Sequence, residues 1–450
     1  VALALVLACS GAWAGAKPEG PAPDPIGYAR LVSAYGDALP DGARIDVAQV
    51  EPPSRIQGDD KQSQRRTHVP DRSRRPFKGV QFVNVSEDQL DGSGHATSTA
   101  RLFYGRGYSS APGVERVHVF TANEFLKGLA RPSGLGPARV WNHSWVGGVK
   151  GRDSEILRAL DRAVTARHWI VVAGVANKDP NPPLLSSGFN LLSVGRSDGK
   201  HGAGTRHTSA AYSADRARPH LVAPAAKTSE AAPMVASVAT LLLDALVGER
   251  DTHGLSRADE SLVVRAALLA GARRTFDRGA DPAARAQPDY AADASVRTAN
   301  GLDTRFGAGQ LNAWNSYHIV RSGPPAGAGK APVLPPSGWI VGRELDSSPS
   351  SGTKVRFDIV PEQDVVFTAA LLWNWTPGRR QLPADLDLQL YDATGKLALT
   401  ALSDGRGDTG EHLHVPLKGG HRYQLQIVAP APRHATTAWA LAWRTSSKPD

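Results

Sequence analysis

A chain of 450 residues, 41% hydrophobic and 21% charged, can bury a large core with room for a second domain, which excludes a disordered or fibrous chain. The formal net charge of +9 is concentrated: "KQSQRRTHVPDRSRRPFK" (61 to 78) holds seven Lys or Arg against one Asp. The rest of the chain is near +3, which is not the balance of a nucleic-acid binder, and a lone cysteine, Cys9, excludes a disulfide framework.

The opening "VALALVLACSGAWA" is an uncharged apolar run followed by small residues. It reads as the h-region and cleavage site of a secretory signal, cut after Ala14. No Met or basic n-region precedes it, so the start reads as truncated. "VLAC" also fits a lipobox centred on Cys9, so the expected location is secreted or cell-envelope. Residues 15–43 form a short prosegment-like region, and no segment beyond the leader approaches the length of a membrane span. The basic run at 61 to 78 lacks interleaved aromatics and reads as a solvated loop, with no nucleic-acid partner implied.

From about Ile45 to Val320 short apolar runs alternate with longer helical patterns. "IDVAQVE", "VHVF", "ARVWNHSWV", "HWIVVAGV", "LLSVG" and "HLVAP" predict buried strands. "SEILRALDRAVTARH", "APMVASVATLLLDAL" and "ESLVVRAALLAGARR" repeat apolar residues at helical spacing. The pattern predicts an α/β domain over 44–321, a parallel sheet with helices on both faces. "SGPPAGAGKAPVLPPSG" (322–338) then reads as a Pro/Gly linker. Beyond it "DLDLQLYD", "YQLQIVA" and "WALAWR" alternate with period two, which predicts a small all-β sandwich or jelly-roll domain over 339–446. Trp373, Trp375, Trp439 and Trp443 are expected in its core. Few contacts are expected to cross the linker, so the two domains should be separable.

In "KTSEAAPMVA" (227 to 236) Ser229 opens an alanine-rich helix, with Pro233 expected in the first turn, where its missing N–H costs little. A helix N-terminus favours developing negative charge, which suits a nucleophile; a plain helix cap is the alternative. A nucleophilic serine needs a base and a group that orients the base. "GSGHATSTARLFYG" (92 to 105) places His95 at the start of a helical pattern, and "IDVAQVEPP" (45 to 53) is a buried strand ending in Glu51. "VVAGVANKD" (171 to 179) is a second buried strand, with Asn177 near its tip as an oxyanion donor. Acid, histidine, amide and serine thus follow one another at the tips of α/β elements.

On these residues the sequence resembles the subtilisin-like serine proteases (the S8 type). "HATSTA" stands where that family has its His-Gly-Thr helix start, and "TSEAAPMVA" where it has Thr-Ser-x-Ala-x-Pro-x-Val-Ala. "LVAP" before the serine, with "VVRAALLAGARR" and "FGAGQLNAWNSY" after it, matches the closing elements of the domain. "VWNHSWVGG" (140 to 148) looks like the family's Asn-x-Ser segment, whose backbone pairs with the bound peptide. The resemblance implies a Glu51, His95, Ser229 triad, Asn177 at the oxyanion, and substrate binding along Ser144, Trp145, Val146 and Gly147. It further implies a monomeric secreted endopeptidase that acts on protein or peptide substrates with no cofactor. Calcium enters by resemblance only, and no metal ligand is named. Glu51 stands where the family has Asp, Asp46 lies at the wrong end of the strand, and Asp91 is the other acid near His95. Lys227 replaces the usual glycine. The alternative reading is a non-catalytic subtilase fold acting as a surface binding or adhesion module.

Overall fold

The computed structural model describes residues 24–56, 58, 65–85, 89–149, 151–180, 184–214, 216–274, 296–325, 332–343, 345, 354–378, 382–430 and 437–447. The leader with Cys9, residues 15–23 and the centre of the expected linker, 326–331, lie outside them.

The first part runs α1 (Tyr28–Tyr35), β1 (Val47–Glu51), β2 (Ser54–Arg55), β3 (Arg66–Thr67), β4 (Gln81–Val83), α2 (Gly94–Phe103), β5 (Arg116–Thr121) and α3 (Ala122–Gly128). It continues with β6 (Val140–His143), α4 (Asp153–Arg167), β7 (Ile170–Gly174), β8 (Leu192–Arg196), β9 (Leu221–Ala223), α5 (Thr228–Gly248), α6 (Arg250–His253), α7 (Arg257–Gly271) and α8 (Ala313–Ser322). Seven strands form one parallel sheet in the order β4-β5-β1-β6-β7-β8-β9. β1 and β7 are buried at every residue, as a sheet covered on both faces requires. Neighbouring residues of one strand serve opposite faces. Val47, Val140 and Ile170 join the core built on α5 and α7, while Ala48, Trp141 and Val171 join the core under α3 and α4. From β1 the chain turns towards β4 and β5; from β6 it turns the other way. The carboxyl ends of β1 and β6 therefore flank a topological switch point, where sites form in such sheets.

Helix α5 is long and apolar enough to cross a membrane by length and composition, a length the sequence reading assigned to no segment beyond the leader. Of its most apolar window 83% is buried inside the protein, so it is the core helix of this domain. Residues 24–43, set apart from the domain in the sequence, are packed into it. Ile26, Leu31 and Leu39 belong to the same core, the Ala313 N–H donates to the Ile26 carbonyl at 2.6 Å, and the Gly42 N–H donates to Asp244 at 3.0 Å.

The second part holds β10 (Ser337–Gly342), β11 (Lys354–Ile359), β12 (Val365–Trp373), β13 (Asp387–Asp392), β14 (Ala398–Ser403), β15 (Gly410–Leu417), β16 (Tyr423–Val428) and β17 (Trp439–Ser446). They form two four-stranded antiparallel sheets, β10-β17-β12-β15 and β11-β16-β13-β14. Phe367, Leu371, Trp373, Leu388, Leu425 and Trp443 fill the space between them. Trp439 joins them, whereas Trp375, expected in the same core, is buried in the α/β part beside Phe189 and Tyr212 instead.

The expectation that few contacts cross between the parts is corrected here. Trp339, Ala370, Leu372, Ala440 and Ala442, on the outward face of the β10-β17-β12 sheet, belong to the core of the α/β part. Arg444 of β17 donates to the carbonyls of Ala270 (2.9 Å) and Ala272 (3.2 Å), serving orphan acceptors at the end of α7. Trp375 exchanges two hydrogen bonds with Asn190, at 2.8 and 2.6 Å. Arg218, fully buried, grips Asp408 with two nitrogens at 2.7 and 3.2 Å. The physical reason is legible in β12 and β17: "FTAALLW" and "WALAW" are apolar on both faces, so one face packs the sandwich and the other packs α7.

Candidate active site

Glu51 ends β1 and its carboxylate is buried. Oε2 lies 2.8 Å from His95 Nδ1. Oε1 accepts from Gln49 Nε2 at 3.1 Å, and the same Nε2 donates to the Ala96 carbonyl at 2.9 Å. A carbonyl only accepts, so the Gln49 amide orientation is fixed, and its Oε1 accepts from the Tyr104 hydroxyl at 2.6 Å. Gln49, two residues before Glu51, shares its face of the strand. Glu51 is thereby held from both oxygens. Gln49 and Tyr104 were not singled out in the sequence, although a glutamine inside a fully buried strand announces a required hydrogen-bond partner.

His95 stands in the first turn of α2, whose N-terminus is capped by Ser93 Oγ accepting from the Ala96 N–H at 3.1 Å. Its side chain is 38% exposed. The hydrogen bond that His95 Nδ1–H donates to Glu51 raises the imidazole pKa above its usual value against the opposing effect of burial. The other candidate acids are engaged elsewhere. Asp91 accepts from Arg72 N and Nε at 3.3 and 3.1 Å, and Asp46 sits with Arg116 and His118 at the start of β1.

Ser229 is the second residue of α5. The Thr228 N–H before it donates to Asn177 Oδ1 at 2.8 Å, so Asn177 caps α5 from outside and its Nδ2 is turned away from that bond. The Ser229 N–H has no acceptor among the described residues and is one of the orphan donors of a helix start. Pro233 falls at the sixth position of α5, in the second turn rather than the expected first. Its missing N–H is the one that would have bonded the Ser229 carbonyl, so the Ser229 peptide is released from the helix ladder on both sides. Gly174, at the end of β7, admits this close approach: a Cβ there would lie 3.3 Å from the Thr228 carbonyl oxygen.

Lys227 and Glu230, on either side of Ser229, both act on the His95 charge, the lysine lowering its pKa and the glutamate raising it. The start of α5 therefore lies near the Glu51–His95 pair, although among the described residues no hydrogen bond joins Ser229 to His95. Catalytic contacts of this kind are often long before substrate binds.

Of the segment 144–147, Ser144 is buried and its Oγ accepts from Asn142 at 3.0 Å. Val146 is 52% exposed, and the Gly147 carbonyl accepts from the Leu184 N–H at 2.7 Å. Trp145 packs edge-on to His143. Burial without a hydrogen-bond partner pushes the His143 imidazole down to about 3, so it is a neutral core side chain. Among the described residues no group of three or more His, Cys, Asp or Glu is gathered to hold a metal ion.

No protein-family model and no curated protein matches the sequence. Among solved structures the chain is similar to a serine protease of Aeromonas sobria, at 13% identity and TM-score 0.41 over 90% of this chain and 89% of that one. It is also similar to MycP1, a serine protease of the type VII (ESX-1) secretion system, at 16% identity and TM-score 0.37 over 64% of this chain and 86% of that one. The epidermin leader peptide processing serine protease of Staphylococcus aureus matches at 13% identity and TM-score 0.40, over 64% and 78%. Likenesses this loose carry no argument about activity. The class that the fold defines is an α/β domain with a seven-stranded parallel sheet followed by a β-sandwich.

Proposed function

We propose that the chain is a secreted or cell-envelope serine endopeptidase of the subtilase class. The observation that carries this reading is the buried Glu51 carboxylate, 2.8 Å from Nδ1 of a half-exposed His95 that lies near the start of the helix bearing Ser229. His95 Nε2 takes the Ser229 proton as the hydroxyl attacks a peptide carbonyl, and Glu51 holds the tautomer and stabilises the imidazolium. The Ser229 N–H and Asn177 Nδ2 receive the oxyanion. His95 then returns the proton to the leaving amine, and water hydrolyses the acyl-enzyme by the same route. The exposed strip at Val146 and Gly147 offers backbone for an extended substrate, apart from the Gly147 carbonyl that Leu184 already occupies.

A fluorophosphonate probe tests this directly. Covalent labelling of the wild type, lost in Ser229→Ala together with casein hydrolysis while the thermal midpoint holds, supports the enzyme. Absence of labelling, with a stable fold, supports the second reading, a binding or adhesion module. The missing Ser229–His95 hydrogen bond is the observation that favours that second reading.

A further inference from the structure

The basic run at 61 to 78 has no part in the chemistry above, yet its described residues, 65–78, are not a loose solvated loop. Arg74, Arg75 and Lys78 meet Arg101 and Arg106, from α2 and the turn after it, along one groove. Two adjoining cavities of about 450 and 550 Å3 share Arg75, Pro76 and Tyr108 in their walls. The two segments are tied together: the Arg106 N–H donates to the Pro76 carbonyl at 3.0 Å, and the Asp71 N–H donates to Thr97 Oγ1 at 2.8 Å. Phe77 is buried beneath them. The cations are therefore presented by a fixed framework.

The charge in the groove is uncompensated. Its one carboxylate, Asp71, is consumed by Arg74 at 3.0 Å and by the Ser73 hydroxyl at 2.6 Å. Arg75, Lys78, Arg101 and Arg106 are exposed, and none has a carboxylate partner among the described residues. Four like charges in a concave surface repel one another and raise the local concentration of anions. The groove also has a place relative to the catalytic pair. Ser98 and Arg101 line it from α2, the helix that carries His95, and three and six residues of helix are about 4.5 and 9 Å along its axis. An extended peptide covers that distance in about three residues.

We infer that this groove is an exosite for an acidic segment of the polypeptide substrate, set a few residues from the bond cleaved at Ser229. The inference rests on the proposed function for the identity of the occupant as a substrate. Single-stranded nucleic acid is the poorer fit, because it needs a row of stacking aromatics. Here one exposed ring, Tyr108, is already covered by the Arg101 guanidinium at 4.9 Å.

Binding of fluorescein-labelled hexaglutamate to the full chain carrying Ser229→Ala, followed by fluorescence anisotropy, tests the groove without requiring turnover. The double variant Arg75→Glu/Arg101→Glu is expected to weaken binding at least tenfold. Lys396→Glu, a single charge reversal at a remote exposed turn of the sandwich, is expected to leave it unchanged, and Arg75→Glu alone to weaken it. Both sites are exposed, and an unaltered thermal midpoint verifies the fold. Equal affinity of the double variant and its parent overturns the inference. So does binding of a sulfated oligosaccharide or oligothymidine with none of hexaglutamate. Absence of fluorophosphonate labelling in the wild type, with hexaglutamate binding intact in the Ser229→Ala chain, overturns the enzyme reading and the substrate role of the occupant, but not the ligand class of the groove.

Discussion

Glu51 carries one methylene more than an aspartate, and its two hydrogen bonds show where that length goes: Oε2 reaches His95 while Oε1 is caught by Gln49. Glu51→Gln is expected to lower kcat by about 10⁴, because a neutral amide no longer selects the productive imidazole tautomer. Asp91→Asn, which only releases Arg72, is expected to be mild; the opposite ranking in steady-state kinetics would move the orienting acid to the loop before α2. The pH profile gives a second readout. The Glu51 hydrogen bond raises the His95 pKa, with Glu230 acting in the same direction and burial and Lys227 opposing. The neutral, proton-accepting form is thus lost as pH falls through a value above that of an ordinary imidazole. The acid limb of kcat/KM is expected above pH ~6.5 in the wild type and shifted downwards in Glu51→Gln. In the proposed mechanism Asn177 serves the other side of the reaction. Asn177→Ala is expected to lower kcat by about 10² to 10³ with little change in KM, and an unchanged kcat would leave the oxyanion to backbone donors alone.

At the scale of elements, the mouth of α5 combines what the sequence could and could not tell. Buried parallel strands are continuous apolar runs, so β1 and β7, with Glu51 and Asn177 at or just past their tips, were legible. So was the helix that follows Ser229. The register of Pro233 was not, because the start of α5 is defined from outside, by Asn177 accepting from the Thr228 N–H across 51 residues of sequence. A local reading has no access to that bond and placed the proline one turn too early. The same limit hid Tyr104, which meets Gln49 only after 55 residues of intervening chain are folded. The position of Pro233 has a measurable consequence. Proline inside a helix costs about 3 kcal/mol relative to alanine, and here it withholds the donor that would bind the Ser229 carbonyl. Pro233→Ala is expected to raise the thermal midpoint while lowering kcat, since the Ser229 peptide would be drawn back into the helix ladder. A variant that gains stability and keeps full kcat would show that the released peptide has no role in catalysis.

At the scale of the whole molecule, a Pro/Gly-rich connection joins two parts that are packed against one another. A linker composition reports only the flexibility of the connecting chain, and affinity between the parts is set by the faces they present. Here those faces are the two-sided apolar strands β12 and β17 against α7, with Asp408 inserted between Arg216 and Arg218. Burial alone would raise the Asp408 carboxyl pKa, but Arg218 and Arg216 outweigh it and hold the group well below the usual carboxylate range. A carboxyl depressed in the folded state contributes stability that is present above its unfolded value, about 3.9, and is lost as pH falls towards the folded value. Asp408→Asn keeps the shape but leaves Arg218, fully buried, without a counter-charge. Breaking a buried pair from one side costs about 3–5 kcal/mol, so the thermal midpoint at neutral pH is expected to fall markedly, and the difference from the wild type to shrink progressively below pH ~4, as the carboxyl of the unfolded wild-type chain takes up a proton that the folded one still excludes. Proteolytic nicking between 326 and 331 in the Ser229→Ala background is expected to leave the two fragments co-eluting in size-exclusion chromatography and melting in one transition. In Asp408→Asn the nicked fragments are expected to part at lower temperature. Two independent melts in the nicked parent protein would mean that the buried face between α7 and the sandwich does not hold the parts together in solution.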